Sequence, residues 1–365
     1  MMNNSYSRAV LRYVKRAAIL ITAFCGLLCL LPHSAALASA AALNAKPLQI
    51  FFVDVEGGQA TLFVTPEGNS LLIDTGWAGY DGRDADRIVQ AAKLAGISKI
   101  DFVLLTHYHQ DHAGGVTQLA AKIPLGTFLD HGENREAADS ASQQMFRDYQ
   151  TLLAKENHKR IIVKPGDVLP LKGIQATVVS ADGVVIDKAL PGAGTENSAC
   201  GNTGPGPADE TENARSLGVL FVFDKLRILD LGDLTSDKEG LLMCPVNKLG
   251  KMDILVVSHH GSLTSSSPQL LDGIAPRVAI MDNGATKGGA PISWDTVKKS
   301  PRLEDLWQLH FSNEGGVAHN APDSFIANIT DPDAGHYLKL TASPDGSFDV
   351  YNARTQATKH YAPAQ

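Results

Sequence analysis

Between residues 104 and 115 the chain reads Leu-Leu-Thr-His-Tyr-His-Gln-Asp-His-Ala-Gly-Gly, so His107, His109, Asp111 and His112 fall within six residues. Imidazole and carboxylate together suit zinc or a similar divalent ion. The apolar run 100–106 ahead of them reads as a buried strand, which places all four side chains on one turn at a strand's C-terminal end. One histidine in such a place is more often solvated than bound. Four candidate ligands behind a buried strand and ahead of Gly114-Gly115 point instead to a metal cradle.

This pattern resembles the signature of the metallo-β-lactamase superfamily, and further segments resemble that family's motifs in order over nearly all the chain after residue 46. Leu71-Leu72-Ile73-Asp74-Thr75-Gly76 is similar to the first motif, which implies that Asp74 orients a ligand histidine from behind. Leu229-Asp230-Leu231-Gly232-Asp233-Leu234 is similar to the strand whose last carboxylate, Asp233, bridges two metals. Val256-Val257-Ser258-His259-His260-Gly261-Ser262 is similar to the last motif, with His259 the implied ligand and His260 the competing choice. Carried over residue by residue, the resemblance gives one ion to His107 and His109 and the other to Asp111, His112 and His259, with Asp233 between them. It implies two divalent ions, zinc by ligand type, and a hydroxide generated on them as nucleophile. Asp111 and His112 then count as catalytic as well as metal-binding residues.

The chain departs from the family in one respect. A third histidine for the first ion usually comes from a strand end between the histidine-rich motif and the bridging aspartate, and only His131 and His158 lie in that interval. His131, at the strand end 128–132, is the candidate ligand or substrate contact, and His158, in the polar run 155–160, reads as a solvated residue. Within the superfamily, Asp54-Val55-Glu56-Gly57-Gly58-Gln59-Ala60 resembles the D-V-G-Q-G-D-A stretch of the hydrolase domain of ComEC-type competence proteins. Asn213-Ala214-Arg215-Ser216-Leu217 resembles that group's N-x-x-S-L, and 259–266 its H-H-G-S-x-x-S-S. The group has a nuclease or phosphodiesterase association and typically lacks the third histidine, which puts Asn213 and Ser216 in the gap as substrate or metal contacts. Glu56 and Gln59 stand where the group carries Gly and Asp. Asn283, closing the run 276–283, is expected near the same rim. His310, flanked by Trp307, Leu309 and Phe311, reads as a core residue.

The elements that must hold these residues alternate short β-branched runs with turns and helices. Strands are expected at 49–55, 60–65, 70–74, 100–106, 127–130, 161–163, 175–180, 217–223, 226–231, 254–258 and 278–282, and helices at 85–95, 115–122 and 140–156. The glycines at 57, 58, 114 and 115 read as turn residues. With no internal repeat and no linker, one domain over 46–361 is expected. The resemblance implies an αββα sandwich, two mixed β-sheets flanked by helices.

The 365 residues, with 33 Gly, 18 Pro and 19% charged, have the composition of a globular protein and exclude collagen, coiled coil and disorder. Residues 1–40 read as a cleaved secretory signal: a basic stretch, the apolar run 17–31 and a small-residue site ending at Ala38 or Ala40. The apolar run is short for a membrane span, so no stable span is expected once it is removed. Its loss takes away Arg8, Arg12, Lys15 and Arg16 and no acid, moving the net charge from −7 to −11. Such a surface disfavours long nucleic acid, and the resemblance to the ComEC-type group implies a phosphodiester in a small or surface-bound substrate. Cys200 and Cys244 then remain, and the sequence leaves open whether they pair or stay free. The reading is a periplasmic or secreted metal-dependent hydrolase acting on a phosphodiester. An ester, lactone or β-lactam hydrolase and a non-catalytic metal-binding or sensing protein are the alternatives.

Overall fold

A computed structural model of the chain describes residues 46–201, 208–330 and 334–364, and the signal expected over 1–40 lies outside the described residues. The first strands are β1 (Leu48–Phe52), β2 (Thr61–Val64) and β3 (Ser70–Ile73). Helix α1 (Arg83–Leu94) leads into β4 (Ile100–Leu104), and the short helices α2 (Gln110–Ala113) and α3 (Val116–Ala120) lead into β5 (Leu125–Asp130). After α4 (Ser140–Glu156) come β6 (Arg160–Ile162), β7 (Gln175–Ala181) and β8 (Val184–Val185). A hairpin of β9 (Gly218–Phe223) and β10 (Leu226–Asp230) precedes α5 (Ser236–Met243) and β11 (Ile254–Val256). The chain continues through α6 (Pro268–Ile274), β12 (Val278–Met281), α7 (Pro291–Lys298) and β13 (Asp305–His310). Last come β14 (Ile326–Asn328), β15 (Leu338–Ala342), β16 (Phe348–Asn352) and β17 (Ala357–Tyr361).

These strands form two mixed sheets, ordered β17-β16-β15-β1-β2-β3-β4-β5-β6 and β14-β13-β12-β11-β10-β9-β7-β8. In the first, β3 to β6 run parallel; in the second, β10 to β14 do. Parallel neighbours end at the same edge, where α/β proteins place their ligands. Asp74, the 107–112 run, His131, Asp233, His259-His260 and Asn283 each follow the C-terminal end of one of these strands.

The period of two along a strand sends alternate side chains to opposite faces. In β1, Ile50 and Phe52 enter the layer between the sheets, where Phe63 stacks on Phe221 with ring centroids 4.4 Å apart. Phe51 joins Leu72, Val103 and Phe128 on the outer face, beneath α1 to α4. Leu229, Leu255 and Ala279 line the outer face of the second sheet beneath α5 to α7. Each fully buried Leu, Val or Phe contributes about 1.5–3 kcal/mol, so three apolar layers hold four layers of structure. That is the αββα sandwich expected from the sequence.

Helix α4 shows how sequence sets an element. Asp139 caps it, accepting from the amides of Ala141 and Ser142 at 3.0 and 3.2 Å, and Asn157 ends it in a left-handed conformation. Its Phe146, Tyr149 and Leu152 face the sheet, and the Tyr149 hydroxyl donates to Asp130 at the end of β5. Its bounds match those read from the sequence. The strands from β13 onward were not anticipated. They include β15 and β16, whose residues alternate between buried and half-buried, as expected where a sheet has one covered face. Cys200 and Cys244 are joined in a disulfide, tying the turn Ser198–Cys200 to the end of α5. From Pro47 on, the chain forms one compact unit. Among the described residues no helix is long and apolar enough to cross a membrane.

Candidate metal centre

His109 is the extended N-cap of α2, and this backbone sorts the histidine-rich run by direction. His107 and His109 converge, Nε2 of the first lying 3.0 Å from Nδ1 of the second. Tyr108 between them turns the other way, packing on Phe146 and donating its hydroxyl to the Gly132 carbonyl at 2.6 Å. The helical turn of α2 then folds Asp111 and His112 back toward the cradle. Gly58 makes room for this turn, since a Cβ there would lie 2.3 Å from the Asp111 carbonyl oxygen. A Cβ on Gly115 would lie 2.1 Å from that of Thr75, so both glycines answer a lack of space rather than a turn's need for positive φ.

Four buried donors close one side of the cradle: Asp111, His112, Asp233 and His260. His112 Nε2 lies 3.3 Å from Asp111 Oδ2, 3.2 Å from Asp233 Oδ1 and 3.1 Å from His260 Nε2. His260 Nε2 lies 3.3 Å from both Asp111 Oδ2 and Asp233 Oδ1. Ligands about 2.0–2.1 Å from a tetrahedral zinc stand roughly 3.4 Å from one another, so the donor atoms are spaced as the corners of such a site. Asp233 Oδ1 is buried without a hydrogen-bond partner, a cost that a cation would remove. The residues present therefore fit a divalent ion.

The rings are fixed from behind. Asp74 accepts from the Thr106 amide at 2.8 Å and hydroxyl at 2.6 Å, and its Oδ2 lies 2.7 Å from His112 Nδ1, which leaves Nε2 facing the cradle. His260 Nδ1 lies 3.3 Å from Asp282 Oδ1, an ion-pair contact without hydrogen-bond alignment. His259 and His260 both have φ of 54°, left-handed values that a non-glycine residue adopts only where its surroundings impose them. The His259 amide donates to the Gly232 carbonyl at 3.0 Å, and the His260 carbonyl accepts from Gly289 at 2.8 Å.

His260, rather than His259, thus joins Asp111 and His112. The sequence favoured His259, but successive left-handed residues splay the two rings, 76° apart in plane, and carry His259 to the other side of Asp233. There His259 Nε2 lies 3.4 Å, and His107 Nε2 4.0 Å, from Asp233 Oδ2. His109 Nε2 is backed by Glu136 at 3.0 Å. Ser216 Oγ accepts from the Asp233 amide at 3.2 Å and sits 3.4 Å from His107 Nδ1, so it supports that ring from the nitrogen opposite Nε2. Asn213 brings Nδ2 to 3.4 Å from His259 Nε2, while its Oδ1 is buried and unpartnered.

Other expectations fail for identifiable reasons. His131 is no ligand: its Nε2 meets Glu212 at 3.1 Å, behind Tyr108. Asn283 donates to the carbonyls of Gly284 and His310, joining the ends of β12 and β13 instead of facing the cradle. His158 packs against the edge of Phe128 rather than in solvent. His310 is a core residue paired with Asp54 at 2.6 Å, as read. Glu136, Glu212 and Lys287 were missed, since each lies in an irregular loop without a spacing pattern, and Asp282, directly after β12, was read only as a strand end. The departure at Gln59 has a structural reason: its side chain donates to Asp230 at 2.7 Å, where a carboxylate would face a carboxylate.

Charge differs across Asp233. Burial opposes ionisation of Asp111 and Asp233, yet His112 above all holds both carboxyls well below their usual range. Burial likewise disfavours a charged imidazole, but Asp233 and its neighbours lift His112 well above its ordinary value and His260 to about 10. Burial wins at His107, held well below its ordinary value, and at His259, lowered.

Known proteins can be set beside this geometry. The model of the metallo-beta-lactamase superfamily matches residues 53–272. The chain is 27% identical over 243 residues to Recombination protein 2 of Haemophilus influenzae, a match covering 66% of this chain and 25% of that protein. It is 26% identical over 250 residues to ComE operon protein 3 of Bacillus subtilis, covering 65% and 28% respectively. The chain thus spans about a quarter of the length of these curated relatives. Among solved structures, the metallo-beta-lactamase fold protein YhfI from Bacillus subtilis matches with a TM-score of 0.42 and 14% identity, covering 80% of this chain and 99% of that one.

Proposed function

Because the chain belongs to the metallo-beta-lactamase superfamily, we propose that this metal-dependent hydrolase cleaves a phosphodiester in a small or surface-bound substrate, outside the cytoplasm and with two divalent ions, zinc by ligand type. The observation that carries the reading is the cage of Asp111, His112, Asp233 and His260, already spaced for an ion before one is added. His107, His109 and the second oxygen of Asp233 would hold the other ion. Ions held there supply Lewis acidity, polarising the scissile bond and acidifying the attacking water.

The chain's own groups do the rest. Asp74 fixes the tautomer of His112, and Asp233, offering one oxygen to each side, sets the spacing of the two halves. Lys287 brings a cation to the mouth, where its ammonium contacts Asp111 and lies 5.1 Å above the Trp77 ring with a third of the side chain exposed. A cation at the rim of an acidic protein suits an anionic group such as phosphate. The resemblance at 54–60, 213–217 and 259–266 supports the phosphodiester, and a likeness to a recombination protein agrees with it. The Cys200–Cys244 bond supports an oxidising compartment.

Turnover of bis-p-nitrophenyl phosphate, nitrocefin and p-nitrophenyl acetate, with metal content measured on the same sample, tests this reading. Phosphodiester turnover that is lost on chelation and restored by zinc is expected. Turnover of nitrocefin or the acetate alone would replace the substrate class, and bound ions without turnover would turn the protein into a binder or sensor.

A further inference from the structure

We infer that His259 supplies the donor that the open side of the centre lacks, so that the neighbours His259 and His260 serve two different ions across Asp233. The inference rests on the two-ion reading above and assigns its ligands.

Asp233 presents a pair of histidines to each oxygen. Oδ1 faces His112 and His260 at 3.2 and 3.3 Å; Oδ2 faces His259 and His107 at 3.4 and 4.0 Å. With His107 Nε2 and His109 Nδ1 3.0 Å apart, the open side is a run of donors, His109, His107, Asp233 and His259, separated by 3.0 to 4.0 Å. Those separations bracket the roughly 3.4 Å between ligands of a tetrahedral zinc. The two sides then have matching composition: two residues from the histidine-rich motif, one oxygen of Asp233, and one of the paired histidines.

Three details set His259 up for this task. The Thr264 hydroxyl lies 2.9 Å from Nδ1, so a ring that donates there carries its lone pair on Nε2, toward Asp233. Left-handed backbone at both histidines is more than placing one ligand requires, and it is what points successive rings to opposite sides of one carboxylate. The histidines that could have filled the role from elsewhere are committed, His131 to Glu212 and His310 to Asp54. Asn213 is the rival, with an unpartnered buried Oδ1 beside His259.

Zinc binding decides between them, measured by equilibrium dialysis with elemental analysis on the wild type, His259→Asn, His260→Asn and Asn213→Ala. Asparagine tolerates left-handed φ, and an unchanged far-UV spectrum and retention of the remaining ion report that each variant is folded. Two ions per chain are expected in the wild type, one tight ion in His259→Asn, and loss of the tight ion in His260→Asn. Thr264→Val, which leaves the ligand in place, should weaken the open-side ion by about tenfold. Two ions held at wild-type affinity by His259→Asn would overturn the assignment, as would an open-side ion lost only in Asn213→Ala. A single ion in the wild type would overturn it together with the two-ion reading. Because the readout is a metal count, failure to cleave a phosphodiester would leave the assignment standing.

Discussion

The two sides of Asp233 are built from the same residue types and differ in how they are held. On the closed side the His112 and His260 rings are buried, each has a carboxylate behind it, Asp74 or Asp282, and their donors already stand 3.1 Å apart. On the open side His109 and His259 keep 22% and 16% of their side chains exposed, and the distance from His107 to Asp233 reaches 4.0 Å. Hydroxyls of Thr106, Ser216 and Thr264 support His107 and His259, and the one backing carboxylate, Glu136, is itself 20% exposed. The closed side is spaced as an ion site would be; the open side is the more solvent-exposed of the two. The closer spacing goes with burial plus a charged backing group, not with the choice of ligand.

The largest effect should come from the one residue common to both sides. Asp233→Ala should remove both ions and lower turnover at least about 1,000-fold, and an elemental count of one full-occupancy ion in that variant would break the symmetry of the comparison. Next is removal of metal itself. Graded chelation should strip the open side first, with turnover falling before the second ion leaves; simultaneous loss of both would mean that the sides do not differ in affinity. The backing groups should sharpen the contrast further. Asp74→Asn should weaken the closed-side ion by about 10–100-fold, and Glu136→Gln the open-side ion by only a few-fold, because solvent competes for His109. Equal penalties in zinc titrations would show that backing charge does not set the difference.

Much of this was legible in the sequence because local chain geometry encodes direction. An extended run followed by one helical turn puts His107, His109, Asp111 and His112 around one point, and a carboxylate one residue past a buried strand, Asp74, lands at its edge. The choice between His259 and His260 was not legible, since it depends on a pair of positive φ values that no period or composition reveals. Glu136 escaped for a similar reason, since it arrives from a loop whose path is set by tertiary packing; Asp282, one residue past β12 as Asp74 is one residue past β3, was read as a strand end and not as a backing group. The pairing of Cys200 with Cys244 joins positions 44 apart in sequence and required the fold to bring them together, and the late strands were read through because runs of three to six residues carry little periodic signal.

Asp230 offers the smallest and most specific test, because it links the two sheets behind the closed side. Gln59 donates through its side chain to Asp230 Oδ2 and through its amide to the Asp111 carbonyl at 3.1 Å, while Asp230 Oδ1 accepts from Gly232, next to Asp233. Burial pushes the Asp230 carboxyl from 3.8 up to about 7, the bonds from Gly232 and Gln59 only partly opposing it. An acid whose folded pKa lies above its unfolded value holds its proton more tightly when folded. Its contribution to stability is therefore complete below 3.8 and is lost as pH rises through about 7. Chelated protein should lose on the order of 2–4 kcal/mol from this group between pH 4 and 8, and Asp230→Asn, which cannot ionise, should flatten that part of the slope in urea unfolding. An unchanged slope would mean that Asp230 stays ionised across the range. The closed side would then owe its rigidity to Asp74 and Asp282 alone, without help from the bridge between the sheets.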